Sequence, residues 1–399
     1  MPRAVATAHA AVEDHRTALA AVHAELGDNA GGDGGCALLV LFVSPAGDRD
    51  AIAAAAAELF PTVPVIGCTT AGEIASAGYV EGEIVAVGFR AGLFEARTVV
   101  VEGLAALDPE RIAEAVNAAR ASFGPAASGW DWTFAFLLVD GLSRREDAVV
   151  SALRGALGAI PLFGGSAGDG FDFRRTFVLA RAPEASGDGL AFRDDRAVLT
   201  LVRSRCPVRV FKFDNLEPSD VKMVVTDADP EARVVREINA EPAAREYARL
   251  VGKDPDQLSP FTFAAHPIVV RVGGQHHVRA IQKVEPNGDL TFFSAIDAGL
   301  VLTVAQARPI AAHLEAALAD LSRGGPPETI VACDCIRRRV AVEQVQGMRE
   351  VSSTLAGHNV VGFSTYGEQF HSVHVNQTFT GLAIYPADAM PNRTESSGG

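Results

Sequence analysis

The sequence predicts an α+β fold: two related domains in which mixed or antiparallel β-sheets pack against helices. Length is the first reason, because 399 residues with 48% apolar content suffice for two full cores at roughly 100–200 residues per domain. The order of elements is the second. Helices alternate with strands early and strands follow strands later, which argues against a doubly wound parallel sheet. The third reason is a repeated stretch. Pro64-Val65-Ile66-Gly67-Cys68-Thr69-Thr70-Ala71-Gly72-Glu73 orders an apolar pair, glycine, hydroxyls, glycine and an acid as Val360-Val361-Gly362-Phe363-Ser364-Thr365-Tyr366-Gly367-Glu368 does. Pro161-Leu162-Phe163-Gly164-Gly165-Ser166-Ala167-Gly168-Asp169 echoes both. The expected divisions are a helix and linker over residues 1–35, an N-terminal domain over 36–215, a C-terminal domain over 216–386 and a disordered tail over 387–399.

Taken in order, Val5, Ala8, Val12, His15, Leu19, Val22 and Leu26 step by threes and fours, the stripe of one amphipathic helix. Gly27 to Gly35 reads as a flexible joint. Strand Cys36–Val43 and a helix over Asp50–Leu59 lead into the first glycine bend. Strands follow at Glu83–Phe89 and Ala96–Val101, then a helix over Asp108–Ser122 with Asp108 as its N-cap and Pro109 at its first position. Strand Thr133–Val139, a helix over Arg144–Leu157 and the middle bend come next, with strands at Arg175–Ala180, Gly189–Phe192 and Ala197–Arg203 closing the half. A boundary falls around Cys206–Pro218. The second half reads as a helix over Pro230–Leu250, then strands His266–Val272, His277–Val284 and Leu290–Ser294, the last two joined at Asn287-Gly288, a hairpin signal. Helix Ala311–Ser322, strand Thr329–Cys335, a helix over Val340–Ala356, the last bend and strand Thr378–Tyr385 complete it, with Met390–Gly399 a loose end. Glu83–Val87 and Thr378–Leu382 lie equally far beyond their bends, which supports the duplication.

Composition narrows the function. A net charge of −14 argues against a nucleic-acid partner, since phosphates call for clustered Lys and Arg. Cys36–Val43, an apolar run, is far short of the roughly 20 residues of a membrane helix, and residues 1–26 do not resemble a signal peptide. The expected location is therefore the cytoplasm, with no membrane association. The five cysteines are odd in number and scattered, and read as reduced thiols.

The bends are the first candidate site. Glycine permits positive φ and close backbone approach, hydroxyls and turn amides supply donors, and loops on a rigid sheet carry function. That reading assigns ligand binding to Gly67, Cys68, Thr69, Thr70, Gly72 and Glu73, to Gly165 and Ser166, and to Ser364, Thr365, Tyr366 and Glu368. The bland alternative is a recurrent turn that only joins strands. Gly164-Gly165-Ser166-Ala167-Gly168 matches a nucleophile elbow, but the elbow needs a helix directly after the serine, and Asp169–Phe173 leads into another strand. Cys68 is a second nucleophile candidate, with no identifiable base. A Cys/Ser hydrolase is thus an alternative, and the expectation is that the chain is not an enzyme. Cys333 and Cys335 share one strand face and are half a zinc site at most. Arg337, Arg338 and Arg339 behind them suit an anion such as a propionate, or else simple packing. Seven of the ten histidines lie between His266 and His374. One neutral imidazole in an apolar pocket can hold haem iron, although each taken alone is also a plain structural histidine.

These residues carry a resemblance. Val65–Glu73, Phe163–Asp169 and Val360–Glu368 resemble the signature turns of FIST proteins, bacterial sensory proteins with an N-terminal and a C-terminal FIST domain. Glu241-Pro242-Ala243-Ala244-Arg245-Glu246-Tyr247 looks like the opening helix of the C-terminal domain, and the likeness runs from about residue 36 to 385. Phe263–Pro267, Val278-Arg279-Ala280-Ile281-Gln282-Lys283, Cys333-Asp334-Cys335 and His374–Gly381 are similar to the NosP subgroup. That resemblance implies haem b as cofactor, nitric oxide as signal, and a histidine kinase or cyclic-di-GMP enzyme as partner, with a homodimer also allowed. It would make His266 or His374 the iron ligand, with Arg337 beside the cofactor. Without haem, the family likeness implies a sensor for an amino acid or another small metabolite held by the bends.

Overall fold

The computed structural model describes residues 3–27, 35–125, 128–181, 189–272, 275–371 and 373–389. Its main body is three sheets built to one plan. In each, two parallel strands are joined by a helical crossover: Cys36–Val43 with Val65–Thr69, Trp132–Val139 with Leu162–Ser166, and Thr329–Cys335 with Val360–Thr365. An antiparallel return strand lies beside the first of each pair: Glu83–Arg90, Arg196–Ser204 and Phe379–Ile384. A further antiparallel strand flanks each return strand: Val5–Ala11, Phe94–Glu102 and Val208–Phe213. The expected α+β class with mixed sheets holds, and the middle echo of the bend belongs to a full third repeat.

The second strand of every pair is completed from elsewhere. After the first bend the chain leaves its own sheet and adds hairpin Glu73–Ala75/Gly78–Val80 to the third sheet, beside Val360–Thr365. After the second bend it adds Val178–Arg181/Leu190–Arg193 to the first sheet, beside Val65–Thr69. After the third bend it adds Glu368–Phe370/Val373–Val375 to the second sheet, beside Leu162–Ser166. The exchange is cyclic, and it covers strand edges that would otherwise expose unpaired backbone groups.

One core joins the inner faces of all three sheets. Phe42 stacks on Phe363 at 4.6 Å and meets Phe136 edge-on at 6.5 Å, while Phe136 stacks on Phe163 at 4.5 Å. Helices cover the outer faces. His15–Leu26 and Arg49–Leu59 pack on the first sheet, Pro109–Ala121 and Glu146–Leu157 on the second, and Ile310–Leu321 and Met348–Gly357 on the third. Asp108 caps its helix as expected, its carboxylate accepting from the amides of Glu110 and Arg111.

Residues 216–307 form an eight-stranded insert that opens with Leu216–Asp229 and ends with Val301–Ala307. Gln275–Val278 and Ile281–Val284, at opposite ends of its strand order, are neighbours in the chain, so the sheet must curl round. Helices Ala243–Leu250 and Pro260–Ala265 pack into its apolar face.

Several local expectations change. The stripe from Val5 to Leu26 divides into strand Val5–Ala11 and helix His15–Leu26. Val5-Ala6-Thr7-Ala8 alternates well enough to pair with Glu83–Arg90, and tertiary pairing overrides a helical period. The helix expected over Pro230–Leu250 shrinks to Ala243–Leu250, behind strand Val234–Ile238. The strand expected over His277–Val284 is broken at Arg279-Ala280, and the helix over Val340–Ala356 becomes two, Ile336–Gln344 and Met348–Gly357. The residues around Cys206–Pro218 hold strand Val208–Phe213, which joins the third sheet. Apart from Gly27 and Gly35, the expected joint lies outside the described residues, as does the tail expected over Met390–Gly399.

Candidate functional site

Glycines set the shape of the bends. At Gly67, Gly164 and Gly362 a Cβ would overlap the carbonyl oxygen of Leu41, Leu137 and Ala332, the residue opposite each on its parallel neighbour. Only glycine lets the strands approach so closely. Gly165 makes room in the core, since a Cβ there would sit 2.7 Å from the Phe363 ring and 3.2 Å from Cys333 Sγ.

The three bends meet and lace together. Ala71 donates its amide to Ser364 O at 2.9 Å, and Ser364 donates back to Gly72 O at 2.7 Å. Gly168 donates to Thr69 O at 2.9 Å, and Ser166 to Gly367 O at 2.8 Å. The meeting point is filled by Ala71, Gly168 and Tyr366, and Tyr366 hydrogen-bonds Asp169 through its hydroxyl. Surface clefts of about 700, 380 and 750 Å³ lie elsewhere, against helix Met348–Gly357, near Phe177 and along helix Ala243–Leu250.

Each bend also buries an acid. Thr70 donates its hydroxyl to Glu73, which accepts the Glu83 amide at 3.2 Å. Thr365 donates to Glu368 at 2.5 Å, and Glu368 accepts the Thr378 amide at 3.2 Å and hydroxyl at 2.7 Å. Asp169 takes the amides of Phe173, Arg174 and Arg175. Burial outweighs these donors and raises Glu73 to about 7 and Glu368 to about 8.

The residues singled out from the sequence are not one pocket. Thr69 accepts the Phe177 amide at 3.0 Å, and Gly72 lies against the Arg339 guanidinium. Ser364 Oγ is buried without a partner among the described residues. Cys68 is fully buried, and desolvation holds its thiol well above the ordinary range, the opposite of an activated nucleophile. Ser166 Oγ accepts from Gln369 Nε2 at 3.0 Å and has no histidine bonded to it among the described residues. Strand Leu162–Ser166 runs on into Ala167–Asp169 without a helix, so the elbow geometry fails.

His266 and His374 do not form a pair. His266 ends helix Pro260–Ala265 in the insert, half-buried, and burial with the charge of Lys253 lowers its pKa. His374 is buried on the outer face of the second sheet, opposite Gln369. Arg337 is fully engaged. It donates to Pro260 O at 3.1 Å, Ile281 O at 3.0 Å and Gln282 O at 2.9 Å, and stacks on Phe293, so it pins the insert to the body. The residues around His374 do not fit a haem: Gly367, Gln369 and Asn376 crowd the imidazole with polar and backbone groups, where the macrocycle needs an apolar slot.

What surrounds His374 is a buried polar cluster at the seam between the second sheet and the insert. Gln369 Nε2 donates to Ser166 and faces His374 Nδ1 at 3.4 Å. Nδ1 therefore accepts, and Nε2 carries the ring proton. Burial keeps the imidazole neutral. His374 Nε2, Gln369 Oε1 and both amide atoms of Asn376 have no hydrogen-bond partner among the described residues. Across the seam, Arg233 pairs with Glu146 at 2.5 Å, and Ser294 Oγ and Arg279 Nε are likewise buried and unpartnered. A cluster of orphaned donors and acceptors is costly unless something else satisfies it. Sequence reasoning named His374 here but passed over Gln369, Asn376, Ser294 and Arg279. Strand alternation from Glu368 could have placed Gln369 on the opposite face.

Three repeated sheets, bends laced at one end and a polar seam under an insert together define a binding module. Family profiles agree: FIST N domain matches residues 37–241 and FIST C domain matches residues 243–371. The chain belongs to the FIST family, whose domains are signal-transduction sensors that bind small ligands. The first profile crosses the division expected at 215/216 and ends inside the insert. A comparison with curated proteins gives no match. No helix among the described residues is long and apolar enough to cross a membrane.

Proposed function

We propose that this chain is a ligand sensor that holds a small polar metabolite at the seam between the second sheet and the insert. The observation that carries the reading is the set of unpartnered, buried atoms of Gln369, His374 and Asn376. A ligand with hydrogen-bonding groups of its own would satisfy them. Because the two walls of the seam belong to different sheets, a ligand that touches both favours one placement of the insert over others. It can shift that equilibrium by no more than its differential affinity. The partner that reads the insert, a histidine kinase or cyclic-di-GMP enzyme in the cytoplasm, rests on the sequence resemblance alone.

The test is binding to the full chain. Small polar metabolites are screened by thermal shift and confirmed by calorimetry, and Gln369→Leu and Asn376→Leu are expected to abolish the binding while raising the stability of the free protein. Binding that survives both changes removes the seam as the site. An absorption spectrum with added haem separates the other reading: a Soret band lost in His374→Ala would replace the metabolite with haem.

A further inference from the structure

We propose that Ser76, His9 and Glu83 form a second site, a serine centre that hydrolyses esters and is independent of the seam. Glu83 Oε2 lies 2.6 Å from His9 Nδ1, and His9 Nε2 lies 3.0 Å from Ser76 Oγ. A carboxylate only accepts, so the neutral ring carries its proton on Nδ1 and leaves Nε2 to accept from the serine hydroxyl. Nucleophile to base and base to orienting acid are the two contacts that define a triad, whatever the order of its members in the chain.

All three members stand on held elements. His9 lies on Val5–Ala11 opposite Val85, and Glu83 opens the neighbouring strand opposite Ala11, so the two are diagonal neighbours on one face. The Glu83 backbone is fixed on both sides: its amide donates to Glu73 at 3.2 Å, and its carbonyl accepts from the Ser44 amide at 2.9 Å. Ser76 comes from the third sheet, in the two-residue turn of hairpin Glu73–Ala75/Gly78–Val80. That hairpin is pinned where a Cβ on Gly78 would overlap Ser352, and where the Tyr79 amide donates to Ser352 Oγ at 3.3 Å. The side chains of His9 and Glu83 are 33% and 23% exposed, and Ser76 is exposed, so the hydroxyl is open to a substrate.

The chemistry follows from the proton positions. Ser76 Oγ attacks the ester carbonyl carbon while His9 Nε2 takes its proton; the C–O bond to the alcohol breaks, and the departing oxygen takes that proton back from His9. Water then attacks the acyl-serine, gives a proton to His9 and so to Ser76 Oγ, and releases the carboxylic acid. A backbone donor for the oxyanion lies next to the nucleophile, because Ala77 is exposed in the turn, outside the ladder that closes at Ala75–Gly78. A site this open to water stabilises the oxyanion weakly. The substrate class is therefore an ester with a small acyl group and a good leaving group, and not an amide. Ser76 and His9 are the catalytic residues, and Glu83 is a positioning residue.

Fluorophosphonate labelling of the full chain, read by peptide mass spectrometry, tests the assignment. Attack by Ser76 Oγ forms the O–P bond and expels fluoride, with the hydroxyl proton passing to His9. The expected result is a label on Ser76 that is absent in Ser76→Ala and forms at least about a hundredfold more slowly in His9→Gln. Hydrolysis of p-nitrophenyl acetate should fall by the same factor in His9→Gln. Glu83→Gln should lower kcat at least about tenfold with KM at the parent value, and Glu83→Asp should recover part of the loss, a split that a merely structural carboxylate does not give. Circular dichroism confirms that each variant is folded, and Ser76→Ala, in an exposed turn, keeps the test open if a change at Glu83 unfolds the chain. Ser76 left unlabelled in the parent protein, or labelling and hydrolysis that continue at parent rates in Ser76→Ala or His9→Gln, would overturn the proposal.

Discussion

Glu73 and Glu368 hold equivalent places in two repeats: each takes the hydroxyl of a threonine three residues earlier and the backbone amide ten residues later. The carboxylate thereby ties a bend to the start of its return strand, at Glu83 and at Thr378. Neither carboxylate has an ion-pair partner within 4.0 Å among the described residues, and burial dominates both. Arg339 acts on Glu73 at longer range and lowers it, whereas Asp334 acts on Glu368 and raises it.

The first prediction is a pH dependence with a defined sign. An acid raised to about 8 in the folded state stays protonated there while its unfolded counterpart, near 4.5, has ionised. The unfolded chain then binds fewer protons, so Glu368 contributes stability that is full below pH 4.5 and lost as pH rises through 8. Glu73 does the same, with its loss complete near 7. The slope is up to about 1.4 kcal/mol per pH unit for each proton. Urea unfolding of Glu368→Gln beside the parent at pH 5.5, 7 and 9 should show the variant gaining relative stability as pH rises. A pH-independent difference would show that Glu368 is ionised in the folded protein.

The second prediction concerns the close strand approach. Gly67→Ala and Gly362→Ala each drive a methyl into the backbone of a neighbouring strand that cannot retreat without breaking its ladder. Each should cost about 3 kcal/mol. Gly170 has positive φ and open space around it, so Gly170→Ala should cost only about 1 kcal/mol. Denaturant midpoints at fixed slope measure all three, and equal losses at the three positions would count against the steric argument.

Much of this architecture was legible because it is written in short periods. Cys36–Val43, Trp132–Val139 and Thr329–Cys335 are short, mostly apolar runs of the kind a strand buried on both faces gives. The glycine bends announced repetition, yet the count of repeats came out as two. The middle copy, Phe163-Gly164-Gly165-Ser166, lacks the threonine and glutamate of the others, while its outer strand Phe94–Glu102 precedes it and its hairpin comes from residues 368–375. Strand exchange of that kind leaves no local signal. The polar seam was hidden for the same reason, since Arg279, Ser294, Asn376 and Glu146 are far apart in the chain. His374 was found through a family likeness, and the structure gives it polar neighbours in place of the apolar ones that haem requires.

A third prediction follows from Arg337. Its guanidinium spans three carbonyls from two segments of the insert, and desolvation lowers it to about 10, which leaves it charged at neutral pH. Arg337→Met would strand those carbonyls and should cost about 2–4 kcal/mol. Arg337→Lys should recover little, because a single ammonium lacks the planar fork. Hydrogen exchange is the discriminating readout: amides in residues 261–265 and 281–284 should exchange faster in both variants, while those of the second sheet keep parent rates. Uniform acceleration across the chain would mean that Arg337 supports the whole fold, not the insert's attachment.

The cyclic hairpin exchange yields the last prediction, on cooperativity. The first repeat places Gly78–Val80 on the third sheet, where Tyr79 donates its hydroxyl to the buried Asp334 and Arg338 binds the same carboxylate at 2.8 Å. The second sheet in turn depends on Glu368–Phe370 to cover its edge at Leu162–Ser166. No single repeat can thus bury its own edge or its own share of the phenylalanine core. Residues 1–205 expressed alone would expose the Leu162–Ser166 edge and leave Phe42 without Phe363, a combination that favours collapse or aggregation over folding. The fragment should give broad proton NMR lines and no cooperative thermal transition, while the full chain unfolds its three sheets in one calorimetric step. A fragment with dispersed amide resonances and a sharp transition would show that the first two repeats form a unit without the third, and the exchange would then be a seal laid over finished sheets instead of the bond that makes them one body.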